Sequence, residues 1–181
     1  MNEICQLDTD DVKQVSGVWC FIVTESNDQN AGSKRLKTLA SERLIPIHKQ
    51  LLELGFLNFI NGKVERCERK LFSELKICPN GYYSTNFSKW FGRFLAKAGA
   101  AAPRTCFHSF RHSFRDAIRR SRISQDLGLA LGGWTSGNQK SEVHDAYGNG
   151  FPILDLKQAI DSISYPNLTL EHLERIATQS V

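Results

Sequence analysis

Residues 108–134 read HSFRHSFRDAIRRSRISQDLGLALGGW, and the way this stretch folds decides how the rest of the chain is understood. At about 100° per residue, Phe110, Phe114, Ala117 and Ile118 gather on one side of a helix running from near His108 to about Arg120. His108, Arg111, Arg115 and Arg119 gather on another side, so one face turns inward and the other presents cations. Ser124 then offers a hydroxyl to cap a second helix, SQDLGLALGG, which the Gly132-Gly133 pair stops. His108 and Arg111 are three residues apart and project from one helical face. An imidazole beside a guanidinium can grip one phosphate: arginine offers a planar donor fork, and histidine gives or takes a proton near neutral pH. Alone, an H-x-x-R pair is a weak signal that arises by chance. His112 reads as pointing away from Arg111, with a packing or hydrogen-bonding role.

Working outward, residues Val18 to Thr24 (VWCFIVT) are β-branched and aromatic and read as a buried strand. SNDQNAGS follows as turn chemistry. Two short apolar stretches, around Leu36 and Leu39 and from Leu44 to Ile47, then predict a hairpin beside that strand. Ile47 to Gly55 reads as a short amphipathic helix ended by its glycine. Phe56 to Tyr83 mixes apolar residues, charges and NG signals, and predicts a mostly irregular connection with one short element. Ser84 can cap a helix to Ala98 whose stripe of Phe87, Trp90, Phe91, Phe94 and Leu95 reads as core. Beyond Trp134, SEVHDAYG, Ile153 to Ile163, and Leu170 to Thr178 capped by Thr169 predict three more helices. A small sheet followed by many helices is an α+β pattern.

The bulk composition narrows the function classes. Charged residues make up 23% and apolar residues 41%, the make-up of an ordinary globular protein. No apolar run reaches the length of a membrane span, and the acidic start MNEICQLDTDD is unlike a secretory leader. Cys5, Cys20, Cys67, Cys78 and Cys106 are scattered with no CxxC pair, so they read as free or buried thiols of a reducing cytoplasm. Net charge is only +4, but it is unevenly spread. From Arg104 to Arg122 six arginines and two histidines stand against one acid, Asp116. A phosphate-binding surface needs such a block, although a solvated helix face looks the same when taken alone.

From His108 onward, HSFRHSFRDAIRRSRISQDLGLALGGWTSGNQKSEVHDAYG resembles the second half of the catalytic domain of the tyrosine recombinases, the phage-type integrases. LKTLASERLIPIHKQLLELG is similar to that family's β-hairpin, in which a lysine precedes a turn, an arginine, an Ile/Val-Pro step and a helix. MNEICQLDTDDV is similar to the stretch after the family's first catalytic arginine. The likeness runs over roughly residues 1 to 163, and its ordered motifs make it specific. It implies one mainly helical catalytic domain over residues 1–181 with a small three-stranded antiparallel sheet. It also implies site-specific DNA recombination or integration through a 3′-phosphotyrosyl intermediate, with neither metal nor nucleotide as cofactor.

Carried over position by position, the resemblance makes Tyr147 the nucleophile. Arg111 would bind the non-bridging phosphate oxygens, and His108 would assist proton transfer. Lys37, at the family's KT step, would protonate the departing 5′ oxygen, with Lys34 as runner-up. Trp134 would take the place of the usual histidine and donate one indole N–H to the phosphate. Arg104, Arg115 and Arg119 would contact the DNA backbone. The spacing from Trp134 to Tyr147 is long, implying a small insertion at SGNQK; His144 there reads as a surface residue. Tyr82, Tyr83 and Tyr165 are the other tyrosines to weigh as nucleophile. The implied partners are double-stranded DNA at attachment sites and further copies of the chain in a tetramer, in the cytoplasm. The last helix would either be exchanged between copies or fold back. The family's first arginine would fall immediately before Met1, and its N-terminal DNA-binding domains are expected to be missing, which implies little or no activity. The alternative reading is a non-catalytic DNA-binding remnant of an integrase.

Overall fold

The turn at Ser16 and Gly17 has φ values of 48° and 80°, the double positive-φ backbone whose twist suits a two-residue hairpin. It joins β1 (Val12–Val15) to β2 (Val18–Val23) with Val15 opposite Val18 and Val12 opposite Phe21. β3 (Arg43–Pro46) pairs antiparallel with the other edge of β2, placing Phe21 opposite Ile45 and Val23 opposite Arg43. The sheet order is β1-β2-β3. The computed structural model describes residues 1–25, 34–36, 41–134 and 151–173. The fold is α+β, with helices outweighing the small antiparallel sheet.

The central strand and β3 lie where the sequence predicts them; β1 does not follow from it. Only Val12 and Val15 are apolar there, and the strand exists because the Ser16-Gly17 turn folds it onto β2. Of the expected first hairpin arm, Leu36 lies outside any strand and residues 37–40 fall outside the described residues.

A short helix α1 (Asn2–Cys5) precedes the sheet, and α2 (Lys49–Glu53) follows it. Gly55, at φ 80°, ends α2 as expected: its N–H bonds to the Leu52 carbonyl at 3.0 Å. It also opens α3 (Phe56–Glu65), a ten-residue helix where an irregular connection is predicted. Packing outweighs the turn signal of Asn61-Gly62, because Ile60 is buried with Leu7, Val12, Ile47 and Leu71, and Phe56 and Leu57 pack against that cluster. Lys63 at the end of α3 ties down the loop after it, with its ammonium 2.7 Å from Glu68 and 3.1 Å from Glu74.

α4 (Ser84–Lys97) starts where expected, but the Ser84 hydroxyl makes no cap. Asn2 supplies the cap from a distance: its Oδ1 accepts from the backbone N–H of Tyr83 at 3.1 Å and of Ser84 at 3.2 Å. α5 (Ser109–Arg120), α6 (Gln125–Gly132) and α7 (Ile153–Ser162) complete the described helices of any length. Ser124 Oγ accepts from Leu127 N at 3.4 Å, and Gly133 terminates α6 at φ 58°, both as the sequence predicts. Ala117, Ile118, Leu131, Leu156, Ala159, Ile160 and Ile163 form a second apolar cluster between these three helices.

Two expectations about side chains fail. The aromatic stripe of α4 is not core: Trp90 and Phe94 are about half exposed, at 49% and 48%. Phe110, expected on the inward face of α5, is 58% exposed. The periodicity of these rings is helical, but nothing among the described residues covers them. Residues 135–150, which include the expected SEVHDAYG helix, and residues 174–178 of the expected last helix lie outside the described residues. Among the described residues, no helix is long and apolar enough to cross a membrane.

Candidate functional site

Local hydrogen bonding builds the site at the end of α6. Gly133 enters the left-handed region, and Trp134 N–H bonds back to the Leu129 carbonyl at 3.0 Å. The indole is thereby folded over the helix end. Gly132 gives it room: a Cβ there would fall within 3.0 Å of three indole carbons. Gly133 does the same for Arg43, because a Cβ on it would stand 2.6 Å from Arg43 Nη1. The Gly132-Gly133 pair therefore stops the helix and seats both an indole and a guanidinium.

Three arginines surround this corner. Arg111 and Arg115, one turn apart on α5, lay their guanidiniums against the Trp134 ring at 4.8 Å and 5.2 Å from its centroid. Phe114 meets the same ring edge-on at 5.9 Å. Arg43 arrives from β3 and donates to the Leu131 carbonyl at 3.3 Å, to the Ser41 carbonyl at 2.6 Å and to Glu3 at 2.8 Å. Burial pushes the Arg111 guanidinium below its ordinary value; Glu3 opposes this, and Arg115 and Arg43 push the same way as burial. The residue as a whole remains exposed, so it is the face against the indole that is desolvated.

The indole adds a donor without an acceptor. Trp134 Nε1 is buried and has no hydrogen-bond partner among the described residues. A buried orphan donor costs free energy unless a ligand supplies the acceptor. His108 stands at the N-cap of α5, and its carbonyl accepts the Arg111 N–H at 2.9 Å. Its ring meets that of His112 edge-on at 5.5 Å. The four-residue spacing thus places His112 beside His108.

Of the sequence-expected residues, Arg111, Arg115 and Trp134 are in contact, and His108 lies one turn before Arg111. Arg119 is engaged elsewhere, 2.9 Å from Asp116. Arg104 is exposed in the loop before α5 at φ 66°. Lys37, His144 and Tyr147 lie outside the described residues. Lys34, the runner-up to Lys37, is committed to structure: it is buried, 2.6 Å from Asp11 and 3.4 Å from Asp8. Lys70 joins the same buried cluster at 2.7 Å from Asp8.

The other tyrosines stand apart from this corner. Tyr83 is buried beneath the Lys70 ammonium, 5.1 Å from its ring. Tyr165, whose hydroxyl burial pushes above its ordinary 10.0, sits with Arg120 at the opposite end of α5, about 13 Å along the helix from Arg111.

Sequence reasoning passed over two residues of the site, Arg43 and Glu3. Arg43 stands in the RLIP step of the hairpin motif and Glu3 in the acidic start, so both were in view, but no local pattern pairs residues forty apart. All five cysteines are free, with Cys5 and Cys20 buried. Among the described residues, no three His, Cys, Asp or Glu side chains gather as metal ligands would. No protein-family model matches this chain, and no match emerges among the curated proteins or the solved structures.

Proposed function

We propose that this chain is a tyrosine recombinase catalytic domain, which breaks and rejoins DNA through a covalent tyrosine intermediate. The observation that carries the reading is the corner of Arg111, Arg115 and Trp134, where two guanidiniums flank an indole whose buried N–H lacks an acceptor. A DNA phosphate meets each requirement: it is anionic, it offers oxygens to the guanidinium forks, and it gives the indole its acceptor. The ordered motifs HSFRHSF, LGGW and Tyr147 favour this reading over a chance basic patch.

In this reading Tyr147 attacks the phosphorus and displaces the 5′ oxygen, leaving the DNA joined to the tyrosine through its 3′ phosphate. The bond energy stays in the phosphodiester, so rejoining needs no external energy source. Arg111 and the Trp134 N–H hold the non-bridging oxygens as negative charge builds in the pentacoordinate transition state. His108, bordered by His112, takes part in proton transfer at the tyrosine, and Lys37 gives its proton to the departing 5′ oxygen. The β3–α6 link through Arg43 fixes the indole relative to the sheet.

The test is a pool of duplexes nicked at random positions, incubated with the chain in EDTA and run on a denaturing gel. Attack near a nick releases a short strand and traps the protein on the DNA. A covalent adduct that vanishes in Tyr147→Phe is expected. An adduct that persists there moves the nucleophile to another tyrosine. Absence of any adduct, with DNA binding that still falls in Arg111→Ala, leaves a non-catalytic DNA-binding domain. Binding unaffected by Arg111→Ala overturns the phosphate site itself.

A further inference from the structure

Six rings run from α4 onto α5 as one continuous surface. Phe87, Phe91 and Phe107 form its half-buried floor, with Phe107 edge-on to both at 5.3 Å. Trp90 and Phe94 stand above the floor, nearly parallel at 18° with centroids 5.4 Å apart, and each is about half exposed. Phe110 extends the surface, 5.4 Å from Phe107 and 6.0 Å from Phe91. An apolar area of this kind normally has an occupant.

The charge around the rings indicates which occupant. Residues 75–115 contain no aspartate or glutamate, yet they carry Lys76, Lys89, Arg93, Lys97, Arg104, Arg111 and Arg115. Lys89, Arg93 and Lys97 follow one another at four-residue spacing, in a row beside Trp90 and Phe94. That row is about 12 Å long, which spans about three to four stacked nucleotides at roughly 3.4 Å each. Rows of cations beside exposed, near-parallel rings are the means by which proteins hold single strands, with the cations tracking phosphates and the rings stacking on bases. A paired duplex keeps its base faces covered and has no use for such rings.

The surface also adjoins the phosphate corner along the chain: Phe107 precedes His108 and Phe110 precedes Arg111, so the start of α5 carries both on different sides.

We propose that the α4–α5 aromatic face holds the unpaired bases of a DNA strand whose phosphate lies at the Arg111–Trp134 corner. The inference rests on the DNA reading above and adds a task to it. Once a strand is cut, its freed end must leave its complement before it can be joined elsewhere, and the rings provide a place for the separated bases.

Fluorescence anisotropy on the full chain tests this with three labelled DNAs of equal length: a blunt duplex, a duplex with an internal unpaired bubble, and single-stranded oligo(dT). The variants are Trp90→Leu/Phe94→Leu, which keep apolar contact with the floor but remove the outer rings, Trp90→Phe, which keeps a ring, and Arg111→Ala. Bubble and single strand should lose about tenfold or more in the double leucine variant, the size of a lost base stack. Blunt duplex should change less than about twofold there, and Trp90→Phe should restore most of the loss. Circular dichroism matching the parent chain secures the comparison. An unchanged bubble affinity in the folded double variant overturns the platform and leaves the face to a protein partner. Equal loss on all three DNAs overturns it too, since the rings would not distinguish unpaired bases. If duplex affinity still falls in Arg111→Ala under either outcome, the phosphate corner survives without the platform; if no DNA binds at all, both fall.

Discussion

Gly132 shows how much one missing methyl group determines. Its hydrogen lies where the Trp134 indole folds back, and any side chain would have to displace that ring. Displacement would also remove the surface on which Arg111 and Arg115 rest. Gly132→Ala should therefore act like a mutation of the indole itself. A loss of about 1–3 kcal/mol in stability is the expected scale for overpacking, and DNA affinity should fall to about the level of Trp134→Ala. Urea unfolding followed by a binding titration would check both; wild-type affinity in Gly132→Ala would show that the indole does not shape the corner. The glycine pair is legible in the sequence as a helix stop, because a stop is a local property. Its second role is not, since it depends on Arg43 arriving from ninety residues away.

Charges help to hold the loop following α3, beside the buried Leu71. Glu68 accepts from Arg66 Nε at 2.8 Å, from Lys63 at 2.7 Å and from the Ser73 hydroxyl. Arg66 foremost, with Lys63 and Ser73, holds its carboxyl at about 2 against an ordinary 4.5. A depressed carboxylate adds stability that is complete above the unfolded value and disappears as pH falls through the folded one. Glu68→Gln should therefore be less stable than the parent at pH 7, and the difference should close as pH falls from 4.5 toward 2. Thermal melts of both proteins across that range would read this out, and a gap that stays constant with pH would sink it. The same segment marks the limit of local reading. α6 could be drawn from the sequence because its Ser124 cap, its glycines and its periodicity agree, and α5 from its periodicity, Phe110 excepted. α3 could not, because Asn61-Gly62 signals a turn and only the packing of Ile60 and Phe56 overrides it. For α4 the periodicity was legible, but which neighbour would cover its rings was not.

For the whole molecule, the proposed DNA reading is tested by the salt dependence of binding. Each phosphate neutralised releases counterions, so log K falls with log salt at a slope of about −0.9 per contact. With the cations of residues 75–115 unopposed by acids, the slope should be steep, and Arg111→Ala should reduce it by about one. Titrations between about 50 and 200 mM salt would show this; a slope unchanged by the mutation would remove Arg111 from the interface. The charge block behind this expectation was plain in the sequence, as was the His108–Arg111 spacing. Which cations remain available was not, because Arg119 goes to Asp116, Lys34 to Asp11 and Arg43 to Glu3 only in three dimensions.

Arg43 has one more consequence. It spans the chain's two apolar clusters, rooted in the sheet that backs one and bonded to the Leu131 carbonyl inside the other. The indole and the α5 guanidiniums belong to the second side, and Arg43 reaches them from the first. A change at Arg43 would therefore be felt on both sides of the molecule at once, as the loss of a rivet is felt in both plates it joins.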